Sequence, residues 1–299
     1  MDNSSLTHTP KPIATPLYTL LALLLSGLWA SAFIPIKLGL RSSPPLFLMG
    51  FRFLLAGIAL LLLARAGGHL LPASRRAWSQ LAVLGLLNNV AYLGLTAVAL
   101  RHLSSGMGAV LASTNPLMLA AVAAIFLKER LGLMKGMGLV LAFVSIVFIM
   151  YSRLGTGDEP GSVGLLLLAN AFLVVGTVLF KYWSPRYDLK VINGIQLLIA
   201  SVVLLLSSLL WEPIDSICWN VDLLSAIAYL SFAVSCGAMM LWFFLLRIGD
   251  ASKASAFFFL NPVIGLFLGA LLLSEPLRSW DFLGIVGVTL GIYLVQRSR

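Results

Sequence analysis

Charge is scarce in this chain of 299 residues: Asp, Glu, Lys and Arg together make up 10% of it, and only 11 residues are acidic. No Asp or Glu is expected inside any of its apolar spans, so a proton relay of membrane carboxylates is not visible. Cysteine occurs twice. Cys218 falls in an expected outer loop and Cys236 inside an expected helix, which makes a disulfide between them implausible. Neither has metal-ligand spacing, so no metal and no cofactor is expected. His-Glu-x-x-His, Gly-x-x-x-x-Gly-Lys, an intramembrane aspartate pair and a membrane serine with a histidine base are all missing. A zinc peptidase, an ATP-driven pump in this chain alone and an intramembrane hydrolase are therefore set aside, and the chain is not read as an enzyme.

Apolar surface is what the chain has in abundance. Sixty percent of residues are hydrophobic, far outside the range of a soluble domain. The net charge of +9 would suggest nucleic acid in a soluble protein. Here the basic residues gather in short loops between apolar runs, where they mark the cytoplasmic side, and no nucleic-acid partner is expected. A bilayer core of about 30 Å needs roughly 20 apolar residues per helix. That ruler gives ten spans, at about 17–37, 44–64, 78–100, 103–127, 132–151, 162–183, 191–211, 222–246, 251–274 and 280–296. Residues 17–29 followed by Ala30-Ser31-Ala32 resemble a signal peptide with its cleavage site. They are read instead as the first span, because cleavage would remove the counterpart of the sixth. Residues 1–16, with Pro10, Pro12 and Pro16, are expected to form a disordered cytoplasmic leader.

The chain is written twice. Leu100 to Leu131, shifted by 146 residues, lands on Leu246 to Leu277 without a gap. Arg101 then meets Arg247, Asn115 and Pro116 meet Asn261 and Pro262, and Glu129 meets Glu275. Fourteen Lys and Arg residues fall on one side of the spans and five on the other, which puts both termini in the cytoplasm. Five spans per copy is an odd number, so the second copy enters the membrane upside down. The expected fold is an all-α integral membrane protein of ten transmembrane helices in two inverted five-helix repeats, residues 17–151 and 162–296. Each copy has a proline in the middle of its fourth apolar run, where it removes a backbone hydrogen bond and kinks the helix. Matched interrupted helices of this kind are the best sequence pointer to a transporter binding site.

These features carry a resemblance. Trp29-Ala30-Ser31-Ala32-Phe33 ending at Lys37, the Arg52-Phe53-Leu54-Leu55-Ala56 run, the Pro116 to Glu129 and Pro262 to Glu275 pairs and the glycine-spaced fifth and tenth spans resemble the EamA-type family of the drug/metabolite transporter superfamily. Ala30 stands where that family usually has glycine. The resemblance implies a secondary transporter that exports a small molecule across the bacterial inner membrane. It also implies peripheral fifth and tenth spans that could join two chains in a homodimer.

Among polar residues, Arg52 sits near the middle of the second span, where a charge costs at least ~2.5 to 3.5 kcal/mol unless it faces water or a partner. It either binds an anionic substrate group or hydrogen-bonds backbone carbonyls freed elsewhere in the bundle; its recurrence across the family whatever the substrate favours structure and gating. Asn115 with Pro116 and Asn261 with Pro262 are expected to form hinges, the asparagine amides satisfying the carbonyls that the prolines leave unpaired. Glu129 and Glu275 are expected to cap the amino terminus of the helix that follows each. His102 is too peripheral to be a confident proton carrier. Trp29, Ser31, Asn89, Tyr92, Trp242 and Phe258, with Arg52, are the candidate substrate contacts, and Asn88, Asn170, Asn193, Gln196, Tyr229 and Ser255 also lie at mid-span. An aromatic-rich interior without carboxylates suits an amino acid with an apolar side chain. A drug or nucleoside-like metabolite is the alternative, and a channel is the less favoured one.

Overall fold

In the computed structural model, residues 15–103, 105–151, 159–273 and 279–298 are described. They form helices and turns, with no strand among them. Among the described residues ten helices are long and apolar enough to cross a membrane: Pro16–Ser42, Pro45–Ala66, Arg75–Ala99, Met107–Phe126, Leu133–Tyr151, Pro160–Trp183, Leu189–Trp211, Val221–Ile248, Ala251–Leu268 and Ser279–Arg297. They are spans 1 to 10 below. The leader lies outside the described residues except at its last two positions, and so does Glu275.

Three spans are interrupted, and one physical cause accounts for all of them. Proline lacks the N–H that would bond to the carbonyl four residues earlier, and its ring pushes that carbonyl away. For Pro35, Pro116 and Pro262 those carbonyls belong to Ser31, Ala112 and Phe258. Span 1 runs as Thr15–Ser31 and Phe33–Ser42 with a break at Ala32. Span 4 runs as Ser105–Ala112 and Asn115–Phe126, separated by a turn at Ser113 and Thr114. Span 9 passes from Ala251–Ala256 through a 3-10 turn at Phe257–Phe259 into Leu260–Leu273. Pro116 thus stands in the first turn of a half-helix, where the missing N–H costs nothing, rather than at the apex of a smooth kink. The interruption at Pro35 follows the same rule and extends the two expected breaks to three.

Spans 3 and 8, the third of each repeat, carry a wide π-helical stretch at overlapping positions in the 146-residue register, Leu86–Gly94 and Leu230–Ala238. Such stretches shift the backbone ladder and concentrate at functional sites. Asn88, Asn89 and Tyr92 fall on the first.

Close packing rests on glycine where two helices touch. Spans 2 and 7 meet at Gly57 and Gly194; a Cβ on Gly57 would lie 2.8 Å from Leu198 and 3.1 Å from the Gly194 carbonyl oxygen. Spans 5 and 10 pack on each other, and a Cβ on Gly138 would come within 2.6 Å of the Gly291 oxygen. Small residues allow this approach. Gly284, Gly287 and Gly291 serve the same seam, whereas Gly132 and Gly136 face open space.

The expectation that carboxylates stay out of the spans needs a correction at two helix ends. Asp222 lies in the first turn of span 8 and Asp281 in the first turn of span 10, and Asp281 is buried. An amino-terminal helix end favours negative charge, so a carboxylate tolerates burial there that it would not tolerate at mid-span.

Candidate functional site

At the breaks in spans 4 and 9 the carbonyl just before the one each proline displaces accepts a backbone N–H, from Thr114 to Leu111 and from Leu260 to Phe257, and a side-chain donor as well. In span 4 the Leu111 carbonyl accepts from Asn170 Nδ2 of span 6 at 2.7 Å and from Thr114 Oγ1 at 2.7 Å, while Asn170 also donates to Thr114 Oγ1 at 3.2 Å. In span 9 the Phe257 carbonyl accepts from Ser26 Oγ of span 1 at 3.0 Å. Leu111 and Phe257 are 146 residues apart. At the same register position of each broken helix, the opening helix of the opposite repeat therefore supplies the stitch.

The asparagines beside the prolines do not donate to these carbonyls, which corrects the expectation that the amides of Asn115 and Asn261 satisfy them. Asn115 is 2% exposed and both of its amide atoms are unpaired; Asn261 Oδ1 is buried and unpaired. Each stands past the break, in the new helix, and not beside the accepting carbonyl.

Unpaired polar groups also lie on spans 2 and 3. Arg52 is 2% exposed, with Nε and Nη1 unpaired, and its guanidinium lies over the Phe53 ring at 4.7 Å. It interacts electrostatically with Tyr92. Tyr92 packs on Leu111 and Ala169, the neighbours of the stitch. Asn89 is fully buried and both of its amide atoms lack partners. Each unpaired buried group costs about 1–3 kcal/mol. Asn88 Nδ2 reaches Gln196 Oε1 at 3.4 Å, and Asn193 Nδ2 donates to the Ser235 carbonyl at 2.8 Å, holding the π stretch of span 8.

The break in span 9 has the opposite chemistry. Phe257, Phe258 and Phe259 are all buried. Phe258 meets Trp29 edge-on at 4.6 Å and Trp242 at 4.9 Å, and the two indoles are 5.7 Å apart. Offset and edge-to-face geometries of this kind are the favourable ones. Ser31 shares a 2.6 Å hydrogen bond with Tyr229, and its Oγ also donates to the Leu28 carbonyl at 2.9 Å beside the break in span 1. Of the seven candidate substrate contacts, three gather in the aromatic cluster, Arg52 and Tyr92 pair near the span-4 break, Asn89 is buried on its π stretch, and Ser31 is engaged by Tyr229.

Two carboxylates tie the repeats together at opposite ends of the bundle. Lys128, with φ 54°, turns the chain sharply after span 4. Glu129 then caps span 9 of the other repeat, not span 5 as expected. It accepts from Ala251 N at 2.7 Å, from Ser252 N at 3.3 Å and from the Ser252 hydroxyl. Lys135 and Lys181 both lie 3.6 Å from it, and Lys181 also donates to the Gly249 carbonyl at 2.6 Å. Burial pushes the Glu129 carboxyl up, but the Ser252 hydroxyl, the Ala251 N–H, Lys181 and the Ser252 N–H together hold it below the usual range. At the other end Glu212 accepts from Leu46 N at 2.9 Å and Phe47 N at 3.0 Å, capping span 2. His102 lies near Glu159, 3.7 Å away and well exposed.

Ser26, Pro35, Thr114 and Glu212 belong to this framework and were not singled out by sequence reasoning. Pro35 could have been found by the same rule as Pro116. Ser26 and Glu212 act on residues 231 and 166 positions away, and no local signal marks such partners.

Comparison with known proteins gives the same architecture. The sequence profile of the EamA-like transporter family matches residues 17–151 and again 161–297. The chain is 30% identical to "Uncharacterized transporter YvbV" of Bacillus subtilis (strain 168), an alignment covering 87% of this chain and 85% of that protein. It is also 30% identical to "Uncharacterized inner membrane transporter YedA" of Escherichia coli (strain K12), covering 89% of each. A solved crystal structure superposes with a TM-score of 0.80 at 18% identity over 94% of this chain and 98% of that one, which shows a shared fold. With two family repeats and ten apolar helices, this multi-pass membrane protein belongs to the EamA-like transporter family.

Proposed function

We propose that the protein exports amino acids with apolar side chains across the inner membrane by alternating access. The observation that carries this reading is the pairing of two unlike breaks. The unpaired amide and guanidinium atoms of Asn115, Asn89 and Arg52 supply donors for a carboxylate, and Trp29, Trp242 and Phe258 supply an apolar wall. A zwitterion with an apolar side chain needs both. Asn115–Pro116 and Asn261–Pro262 act as hinges about which the half-helices move. The inter-repeat caps at Glu129 and Glu212 stand at opposite ends, as a two-sided lock requires.

The test is uptake of a labelled amino-acid panel into proteoliposomes, with each free acid compared against its neutral amide. The acid should be transported and the amide should not. Equal transport of both would remove carboxylate recognition and favour a drug or nucleoside-like substrate, for which the aromatic cluster offers a stacking surface.

In this reading both termini face the cytoplasm, by the fourteen-to-five division of basic residues. Cys218 is exposed in the loop between spans 7 and 8. It should react with a membrane-impermeant thiol reagent in intact cells, and labelling only after permeabilisation would reverse the orientation.

A further inference from the structure

A cavity of about 290 Å³ opens between the start of span 3 and the turn from span 6 to span 7. It lies at the end of the bundle where the basic residues gather, away from the two breaks. Arg76 and Arg186 line it from opposite sides, with Gln80 and the hydroxyl-bearing Ser74 and Ser184, and no carboxylate is among its lining residues. Neither guanidinium has a hydrogen bond or ion pair within the described residues. Two positive charges lining one space favour an anion there.

The walls are fixed rather than incidental. Ser184 adopts a left-handed conformation, φ 42° and ψ 61°, which ends span 6 and turns the chain back. Arg247 Nη2 then donates to the Pro185 carbonyl at 2.7 Å and the Tyr187 carbonyl at 2.5 Å, bracing this wall from span 8. On the other wall Trp78 Nε1 donates to the Pro72 carbonyl at 2.8 Å, and Ser74 accepts from Ala77 N at 3.2 Å. His69 and Asp188, 3.4 Å apart, join the two connectors.

The level in the membrane identifies the ligand. Span 3 starts at Arg75 and span 6 ends at Trp183, so the cavity lies at the ends of two apolar helices, the level at which lipid headgroups are expected. Trp78 is 40% exposed and Tyr182 is 72% exposed beside it, the placement of aromatic anchors at a membrane–water boundary. Basic pockets between transmembrane helices take anionic headgroups. The volume of about 290 Å³ falls just below the ~300–1,000 Å³ typical of small-molecule sites and leaves room for one headgroup.

We propose that this cavity binds the phosphodiester headgroup of an anionic membrane lipid between Arg76 and Arg186. A free phosphate shares the chemistry but lacks acyl chains to hold it at this depth.

The test is binding to the purified full-length protein, read by native mass spectrometry and by thermal shift. Phosphatidylglycerol, phosphatidylcholine and inorganic phosphate are the probes. Phosphatidylglycerol should bind in preference to phosphatidylcholine, and the double variant Arg76→Gln, Arg186→Gln should weaken it at least about tenfold. Arg65→Gln, Arg75→Gln, which removes two exposed charges near the same end but outside the cavity, should weaken it less than about twofold. All four arginines are exposed, so the fold should survive either change. Three results would overturn the proposal: equal weakening by both double variants, no preference between the two lipids, or protection by inorganic phosphate at the same concentration, which would assign the site to a soluble anion.

Discussion

The two repeats share a framework and differ in what they place at their breaks. In span 4 the turn is polar: Ser113 and Thr114 fold their hydroxyls back on Ala109 and Leu111 carbonyls, and Asn115 beyond them is left without partners. In span 9 the equivalent turn is three buried phenylalanines. The opening helices differ as well. Span 1 breaks before Pro35, whereas span 6 runs unbroken from Pro160 to Trp183 and has Lys181 at the position 146 residues on. That lysine joins Glu129 at the lock. Duplication accounts for the common backbone, and the two breaks diverge in the polarity of the residues they carry.

Removing the inter-repeat lock should have the largest effect. The Glu129 and Lys135 side chains are 8% and 3% exposed, and breaking a buried charge pair from one side costs about 3–5 kcal/mol. Glu129→Ala should therefore lower the melting temperature sharply in detergent, while Glu129→Gln, which keeps one acceptor oxygen for the span-9 cap, should lower it less. The carboxyl is held below its usual range in the folded state, so its contribution is complete above the ordinary carboxylate pKa and is lost as pH falls through the depressed folded value. Stability in the unmodified protein should decline on acidification through that window, and the decline should be smaller in Glu129→Gln. A steep decline of equal size in both would remove Glu129 from the account.

The hinges come next. Because Pro116 and Pro262 lie in the first turns of half-helices, replacing either costs the folded protein little, but it restores an N–H that lets the two halves join as one straight helix. Pro116→Ala and Pro262→Ala should express normally and transport poorly, measured by counterflow in proteoliposomes. Full transport in both would reduce the breaks to packing features.

The stitches should be smallest. Ser26→Ala removes the side-chain donor to the Phe257 carbonyl, which keeps the Leu260 N–H, and should cost about 0.5–1.5 kcal/mol. Asn170→Ala should cost a similar amount or less at the carbonyl itself, since the Thr114 hydroxyl and N–H both still bond to Leu111. Thermal shifts of the two variants and of their combination would show whether the repeats are stitched unequally.

Much of this could be read before any coordinates. The spans are long and apolar, and each meets the bilayer thickness by itself, so hydropathy alone locates them. The duplication is explicit from Leu100 to Leu131. Proline's effect is local, which is why two of the three interruptions were expected. What escaped is non-local. Which side chain reaches a carbonyl at a break depends on the helix packed beside it, so Asn170 and Ser26 donate there and the adjacent Asn115 does not. Glu129 was expected to cap its sequence neighbour, but the left-handed Lys128 directs it to the far repeat. Trp29, Trp242 and Phe258 were three unconnected aromatics in the sequence and are one cluster in the fold.

The inequality of the two breaks is the central claim, and one measurement bears on it most directly. Transport of phenylalanine, methionine and threonine would be compared in proteoliposomes for Asn115→Ala and Phe258→Ala. Loss of the aromatic wall at Phe258 should change the preference between phenylalanine and threonine by about 1–3 kcal/mol, or roughly 10–200-fold. Loss of the Asn115 amide should lower all three substrates by the same factor. If both variants scale the three substrates alike, or if Asn115→Ala is the one that changes preference, the division of polar and apolar recognition between the repeats is wrong.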